Sequence, residues 1–273
     1  MTLSYLRNIA FLLALFVVSI QCTNGTGEAV TTRFWDCCKP SCSWKEKAKF
    51  SSPVLTCNKA DEPFRDFSAG TGCNGGTAYS CSDQQPWAVN DTFSYGFAGI
   101  FVMGHVEDFW CCACYQLNFT SGPVKGKSMI VQASNTAYDV TTSNRFSLAI
   151  PGGNTTSHDA CANQFGVSQN VFGETNSGVK SIDDCENLPK AMQPGCRWRF
   201  DWFKDAQYPS ATFARVICPA VLSDKTECKR DDDNEKATVA ANAQIHSSSA
   251  TNLSPARSVL AAATMLITGL LWA

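Results

Sequence analysis

The chain has 273 residues, and 22 lysines and arginines against 24 aspartates and glutamates give it a net charge of −2. This balance provides no excess of positive charge for a nucleic acid and no strong field for an acidic polymer, so it favours a neutral partner. The length allows one domain of about 200 residues flanked by tails.

The N-terminal residues have the pattern of a secretion signal. Arg7 supplies the basic charge, and Ile9 to Ile20 form an almost purely apolar run of 12 residues. Such a run is too short to span a bilayer but fits the hydrophobic core of a signal peptide. Small residues follow, so we assign residues 1–24 to the signal, with an uncleaved N-terminal anchor helix as the alternative.

Cysteine content predicts a disulfide framework. The chain has 15 cysteines, and 14 remain once Cys22, at the edge of the signal, is set aside. An even number in a secreted chain indicates up to seven bridges, whose connectivity the spacing alone does not determine. Zinc is the alternative, because CCKPSC and CCAC bring thiols together, but the three histidines lie outside finger spacing. We therefore predict neither a metal nor a cofactor.

Strand patterns dominate the segment 28–228, which we expect to be the folded unit. Alternating apolar residues between Gly/Pro turns predict several strands. Two short segments in which apolar residues recur at helical spacing predict helices. Strands are predicted at 114–133 (two around a turn), 145–150, 196–204 and 213–220, and helices at 44–50 and 183–192. Short strands joined by long, cysteine-bridged loops indicate a small β-barrel.

The C-terminal residues have the pattern of a glycolipid anchor signal. Residues 229–249 are polar, without periodicity, and predict a solvated stalk. The segment 250–273 combines a polar spacer with an apolar tail from Val259 onward, preceded by the small triplet Ser247 to Ser249. This is the order of elements in such a signal. A spanning helix would need about 20 apolar residues and basic residues on its cytoplasmic side.

The chain has sequons for N-glycosylation at Asn24, Asn90, Asn118, Asn154 and Asn252. Together with the two signals, they predict a secreted, glycosylated monomer that contacts the membrane only through its lipid.

Several segments, in the same order, resemble glycoside hydrolase family 45, the small secreted endo-β-1,4-glucanases. They are TTRFWDCCKPSC (31–42), AYSCSDQQPWAVNDTFSYGFA (78–98), WCCACYQLNFTSGPVKGKSMIVQ (110–132), IPGG (150–153) and PGCRWRFDWFK (194–204). The cysteines outside the signal also fall where family cysteines do. The resemblance covers about 30–228 and implies a mainly β fold, a six-stranded double-psi β-barrel with an open groove for a β-1,4-glucan chain.

The resemblance implies hydrolysis with inversion at the anomeric carbon. Inverting enzymes use one carboxylate as a base that activates water and a second carboxyl as an acid, roughly 6.5–9.5 Å apart. Asp36 matches the family base. We expect the cysteines beside it to hold it within hydrogen-bond reach of its water.

The family acid has no carboxyl counterpart in this chain. The family has His-Phe-Asp before its Pro-Gly-Gly turn, whereas this chain has Arg145-Phe146-Ser147. Ser147 thus stands at the position of the lost acid, and Arg145 shares its strand face. Asp139 matches a third family carboxylate on a loop and is either a substitute acid or a solvated aspartate. Asp159 is a weaker candidate.

The resemblance also suggests substrate-binding residues around the base. Trp35 and Trp44 would stack on glucose rings, and Lys39 would bond sugar hydroxyls. Taken alone, the tryptophans fit a core role and the lysine a solvated charge. The predicted substrate-binding set is Thr32, Arg33, Trp35, Lys39, Trp44 and Arg145.

Two functions follow from this pattern. The first is an endo-β-1,4-glucanase weakened by loss of the acid, because general-acid help contributes typically about 10²–10⁴ in rate. The alternative is a non-catalytic glucan-binding protein on the same fold. Expansins, a third possibility, resemble the opposite case, because they keep the acid-like motif and lack the base.

Overall fold

The computed structural model describes residues 27–154 and 159–251, with side chains to residue 247. The predicted signal 1–24 and Asn24 lie outside the described residues. So do Asn252 and almost all of the predicted anchor signal.

Ten strands and five α-helices make up the regular structure of the described residues. The strands are β1 Gly27–Phe34, β2 Thr56–Cys57, β3 Pro63–Phe64, β4 Tyr79–Ser80, β5 Trp87–Ala88, β6 Phe93–Phe101, β7 Cys114–Phe119, β8 Ser128–Thr136, β9 Arg145–Ala149 and β10 Ser210–Val216. The helices are α1 Glu107–Trp110, α2 Ala160–Phe165, α3 Gln193–Asp201, α4 Ala220–Thr226 and α5 Glu235–Thr251. Short 3₁₀ helices occupy Ser41–Ser43, Gly72–Asn74, Gly122–Val124, Gln169–Phe172 and Asp183–Asn187.

Six of these strands form a closed barrel. They pair in the order β6-β8-β7-β10-β1-β9, and β9 pairs back onto β6 to close the ring. The pairs β1–β9 and β6–β8 are parallel, and the other barrel pairs are antiparallel. This confirms the predicted mainly β, six-stranded barrel with few helices, and it confirms the predicted strands in 114–133, 145–150 and 213–220.

Aromatic side chains fill the barrel. Phe146 on β9, Tyr115 on β7 and Phe213 on β10 are all fully buried. The centroid of the Phe146 ring lies 5.5 Å from that of Tyr115 and 4.9 Å from that of Phe213. Because successive side chains of a strand point to opposite faces, the residues beside Phe146 face away from this core.

The predicted framework of seven disulfides is confirmed. All 14 cysteines outside the predicted signal are bridged. The pairs are Cys37–Cys161, Cys38–Cys73, Cys42–Cys111, Cys57–Cys81, Cys112–Cys228, Cys114–Cys218 and Cys185–Cys196.

The prediction of a strand at 196–204 is wrong. These residues belong mostly to helix α3, which has Pro194 in its first turn, where the missing N–H costs nothing. Trp198 and Trp202 stack with ring centroids 5.2 Å apart, as residues four apart on one helix face do. Positions 198 and 202 satisfy both a period of two and a helical period, so the alternation was ambiguous.

The predicted short helices are only partly present. The prediction of a helix at 44–50 is wrong, because these residues form turns and bends, with Glu46 in the left-handed region at φ 68°. Residues 183–192 contain a 3₁₀ helix that ends at Asn187. Pro189 follows two residues later and cannot continue a helical hydrogen-bond ladder.

The prediction of a solvated stalk is wrong for most of the segment 229–249. Helix α5 packs against β1 and β10, and its Ala241 and Ile245 are buried. Asn242 on the same helix accepts from the backbone N–H of Arg215 at 2.7 Å and donates to its carbonyl at 3.1 Å. Gly27 leaves the space for Ile245, because a Cβ on Gly27 would lie 2.7 Å from Ile245 Cγ2. Alanine-rich composition favours a helix without large apolar residues, which explains why no periodicity was visible.

Replacing Ile245 with alanine should destabilise the domain by about 2–5 kcal/mol, because it leaves a cavity between α5 and the barrel. Val239→Ala on the same helix is the matched control, since Val239 is 70% exposed. Urea unfolding monitored by tryptophan fluorescence measures both. Equal stability of the two variants would show that α5 does not contribute to the folded unit.

Candidate active site

Asp36 lies directly beyond the end of β1, where two disulfides constrain the backbone. Its Oδ1 accepts a hydrogen bond from the backbone N–H of Cys38 at 2.9 Å. Cys37 is held in the left-handed region at φ 57° and is bridged to Cys161, while Cys38 is bridged to Cys73. A residue in this conformation persists only where surrounding structure imposes it. The covalent links therefore hold the Asp36 carboxylate in one place.

A narrow recess surrounds the half-buried Asp36. Its walls come from the end of β1, from β8 and β9, and from the loops that carry the first cysteines. The lining residues are Phe34, Trp35, Asp36, Cys38, Pro40, Ser80, Gln84, Ser134, Asn135 and Ala149.

Ser147 lies on β9 and is 7% exposed. It pairs with Thr32 on β1 and with Gly99 on β6. Since Phe146 points into the core, Ser147 points outward together with Ala149 and Arg145. Ala149 lines the recess of Asp36, and Arg145 lines a second pocket. Ser147 therefore stands between the two.

The spacing along the groove suits two carboxyl groups with a water between them. Asp36 lies four residues beyond Thr32, the partner of Ser147. At roughly 3.3 Å per residue the two positions are at most about 13 Å apart along the strand. Two carboxyl side chains that reach toward each other would shorten this distance toward the separation typical of inverting enzymes.

Arg145 and Asp139 form an ion pair beside Ser147. Arg145 Nη2 lies 2.8 Å from Asp139 Oδ2, with side-chain exposures of 13% and 66%. Arg145 also donates from Nε to Thr32 Oγ1 at 3.1 Å. The structure thus brings three residues of the predicted site together on the far side of Ser147 from Asp36, and it leaves Asp159 exposed at the start of α2.

The second pocket has a volume of about 230 Å³. Its wall includes Arg33, which donates from Nε to the carbonyl of Gly153 at 2.6 Å and from Nη1 to Gln207 Oε1 at 3.0 Å. Burial, followed by the charge of Arg199, lowers the pKa of Arg33. The lining residues are Thr31, Thr32, Arg33, Asp139, Arg145, Asn154, Asn176, Phe203, Ala206, Tyr208 and Pro209.

Sequence reasoning did not identify Tyr208 or Asn176 as site residues. Tyr208 is 64% exposed and has a positive φ of 50°, and Asn176 has φ 70°. Both belong to loops far from Asp36 in the chain. An aromatic residue directly before Pro209 at the start of a strand was the available signal, but no periodic pattern includes it.

Two of the predicted sugar contacts fall on largely buried side chains. Trp35 is 4% exposed and packs in the core, although it also lines the recess of Asp36. Lys39 is 5% exposed, and its Nζ donates to the carbonyls of Phe67 at 2.8 Å and Ala69 at 2.9 Å. Lys39 thus ties the loop at 67–69 to the segment that carries Asp36, and the sugar contacts of Trp35 and Lys39 stay predictions.

Trp44 is half-buried and stays a predicted platform for a glucose ring. Lys39 Nζ lies 3.4 Å from the centroid of the Trp44 ring and covers one face with a cation–π contact. The preceding 3₁₀ turn is tied to β8, because the Ser41 N–H donates to Asn135 Oδ1 at 2.9 Å. Asn135 pairs with Gly99, which in turn pairs with Ser147. The turn that precedes Trp44 is therefore anchored on β8, next to the strand β6 that pairs with Ser147.

Within the described ranges, no group of three or more His, Cys, Asp or Glu side chains could hold a metal ion. None of the helices described has the length and apolar character that crossing a membrane requires. The sequons Asn90 and Asn118 are exposed, whereas Asn154 lines the second pocket.

Comparison with known proteins identifies the class. A clamped carboxylate at one wall of an open groove on a disulfide-bridged barrel fits a polysaccharide hydrolase. Residues 28–229 match the model of glycosyl hydrolase family 45. The chain belongs to this family.

The matches to known proteins extend over most of the barrel domain. The chain is 47% identical over 218 residues to "Putative endoglucanase type K" of Fusarium oxysporum, and the match takes in 80% of this chain and 57% of that protein. It is 43% identical over 219 residues to an endoglucanase of Cryptopygus antarcticus, covering 80% of this chain and 96% of that protein. The crystal structure of cellulase from this Antarctic springtail matches with a TM-score of 0.72, over 76% of this chain and 98% of that one.

Proposed function

We propose that this protein is an endo-β-1,4-glucanase that acts outside the cell on cellulose or a related β-glucan. The observation that carries the proposal is the position of Asp36, a rigidly held carboxylate at the wall of an open groove in a family 45 barrel. Relatives that carry the name endoglucanase support the same conclusion.

In the proposed reaction Asp36 acts as the general base. It takes a proton from a water that attacks the anomeric carbon from the face opposite the leaving sugar, and the configuration inverts. The sugar oxygen that leaves lies on the side of Ser147 and must gain a proton as its bond to carbon breaks. Thr32 and Arg145 line the groove beyond that point.

Delivery of that proton is the weak step. A serine hydroxyl is a far weaker acid than a carboxylic acid. Asp139 carries a carboxylate near this point, but its ion pair with Arg145 has to break before it can hold and donate a proton. We therefore expect slow hydrolysis of unactivated glucan.

Release of reducing ends from a soluble β-glucan by the purified protein tests the proposal. A low but measurable rate is expected, and it should fall further on loss of Asp36. A rate typical of glucanases that Asp139→Asn abolishes would instead make Asp139 the acid. Tight binding of glucan without any product would favour a non-catalytic glucan-binding protein. Ser147 supports this alternative, because it stands where the family has its catalytic acid.

We also propose that the mature protein is held at the cell surface by a glycolipid. The tail from Val259 onward is expected to be removed and replaced by the lipid. A phospholipase that cuts such anchors should release the protein from intact cells into the medium. Protein that stays with the cells, or a C-terminal peptide that retains Trp272, would contradict the anchor.

A further inference from the structure

The second pocket, on the far side of Ser147 from Asp36, carries more positive than negative charge. Arg33 and Arg145 line it, and Asp139 is the acidic side chain among its lining residues. Its volume is about 230 Å³, and we expect it to accept a single sugar unit.

Arg145 is a fixed cation whose partner is replaceable. Its side chain is 13% exposed and is held by Thr32 Oγ1, whereas Asp139 is 66% exposed on a loop. An ion pair with an exposed acid contributes little stability. A carboxylate that arrived in the pocket as part of a ligand could form a charge-assisted, two-pronged contact with the same guanidinium.

Two further lining residues, Asn154 and Tyr208, offer contacts for the rest of a sugar. The Asn154 side-chain Oδ1 is buried, and no donor contacts it among the described residues, although a buried acceptor normally has a partner. Tyr208 presents an exposed ring from a backbone conformation that costs energy for a residue with a side chain. A hydroxyl donor for Asn154 and a C–H face for Tyr208 both belong to a sugar ring.

We propose that this pocket binds a uronic-acid unit of a β-1,4-linked chain, whose carboxylate takes the place of Asp139 on Arg145. The inference rests on the proposed glucan-cleaving function and specifies its substrate as a chain that carries carboxylates. Displacement of Asp139 would also release its loop from the groove.

Calorimetric binding to the full-length protein tests this with two probes of equal length. One is cellotetraose, and the other is cellotetraose with one unit oxidised at C6 to the carboxylate. The oxidised probe should bind about tenfold more tightly or better. The preference should shrink at about 0.5 M salt because of screening.

Variants assign the effect to Arg145. Arg145→Gln should remove the preference, and Arg145→Lys should restore only part of it, because lysine lacks the planar fork. Asp139→Asn should strengthen binding of the oxidised probe, since the competing carboxylate is gone. Arg197→Gln is the matched control, because Arg197 pairs with Glu186 and lines neither pocket of the groove.

Equal affinity for the two probes, or a preference that survives Arg145→Gln, would overturn the inference. Hydrolysis of neutral hydroxyethyl cellulose is measured separately and bears on the proposed function alone. A carboxylate preference without hydrolysis would therefore refute the enzyme and support the site, whereas hydrolysis without a preference would do the reverse.

Discussion

Replacing Ser147 with aspartate is expected to raise the rate of β-1,4-glucan hydrolysis by about 10²-fold or more, because it restores a general acid beside the leaving oxygen. A departing sugar alkoxide is a strong base and needs a proton, whereas a nitrophenolate leaves without one. The gain should therefore be large on glucan and small on nitrophenyl cello-oligosaccharides. The residue paired with Ser147 on β6 is Gly99, which has no side chain to compete with the introduced aspartate.

Arg145 should limit the gain in rate that Ser147→Asp gives by itself. A cation beside the introduced carboxyl lowers the pKa of that carboxyl, so less of it is protonated at a given pH. As the pH rises, the Ser147→Asp variant should therefore lose activity first. The double variant, which also carries Arg145→His, should keep its activity to a higher pH. Profiles of kcat/KM against pH for both variants measure this shift.

A matched control separates this effect from a general change of charge. Thr141→Asp adds the same charge at an exposed loop position, and it should leave the rate unchanged on both substrates. If Ser147→Asp, with or without Arg145→His, is no faster on glucan than the wild type, Ser147 does not occupy the position of a missing acid.

Replacing Asp36 with asparagine is expected to lower the rate by about 10²–10⁴ on glucan and on the nitrophenyl substrate alike, because both need an activated water. Asparagine keeps an oxygen that can accept the hydrogen bond from the Cys38 N–H, so the loop should retain its conformation. Initial rates on both substrates, with the wild type as reference, give the measurement.

If Asp36→Asn folds and binds sugar as the wild type does, its loss of rate reflects a loss of the chemical step alone. The Asp36→Asn variant should unfold at the temperature of the wild type and still bind cello-oligosaccharides. Asp83→Asn serves as the control, since Asp83 is an exposed aspartate paired with Lys225. An Asp36→Asn variant that keeps its activity on both substrates would exclude Asp36 as the base.

Local patterns of the sequence predicted the scaffold and located the candidate base. The cysteine count predicted seven bridges because oxidised secreted domains pair their thiols. Alternation on residues 145–150 correctly placed Ser147 and Arg145 on one strand face, because strand geometry depends only on neighbouring residues. The motif around Asp36 located the carboxylate that the structure shows clamped by Cys37 and Cys38.

Tertiary structure decided what depends on packing partners far away in the chain. The alternation at 196–204 became a helix because Trp198 and Trp202 stack in the core, and α5 docks because Gly27 leaves room for Ile245. The burial of Trp35 beside the recess of Asp36 is likewise something that no local pattern reports. The second pocket brings Tyr208 and Asn154 together with Arg145, and no local pattern in the sequence predicts that these distant residues line one pocket.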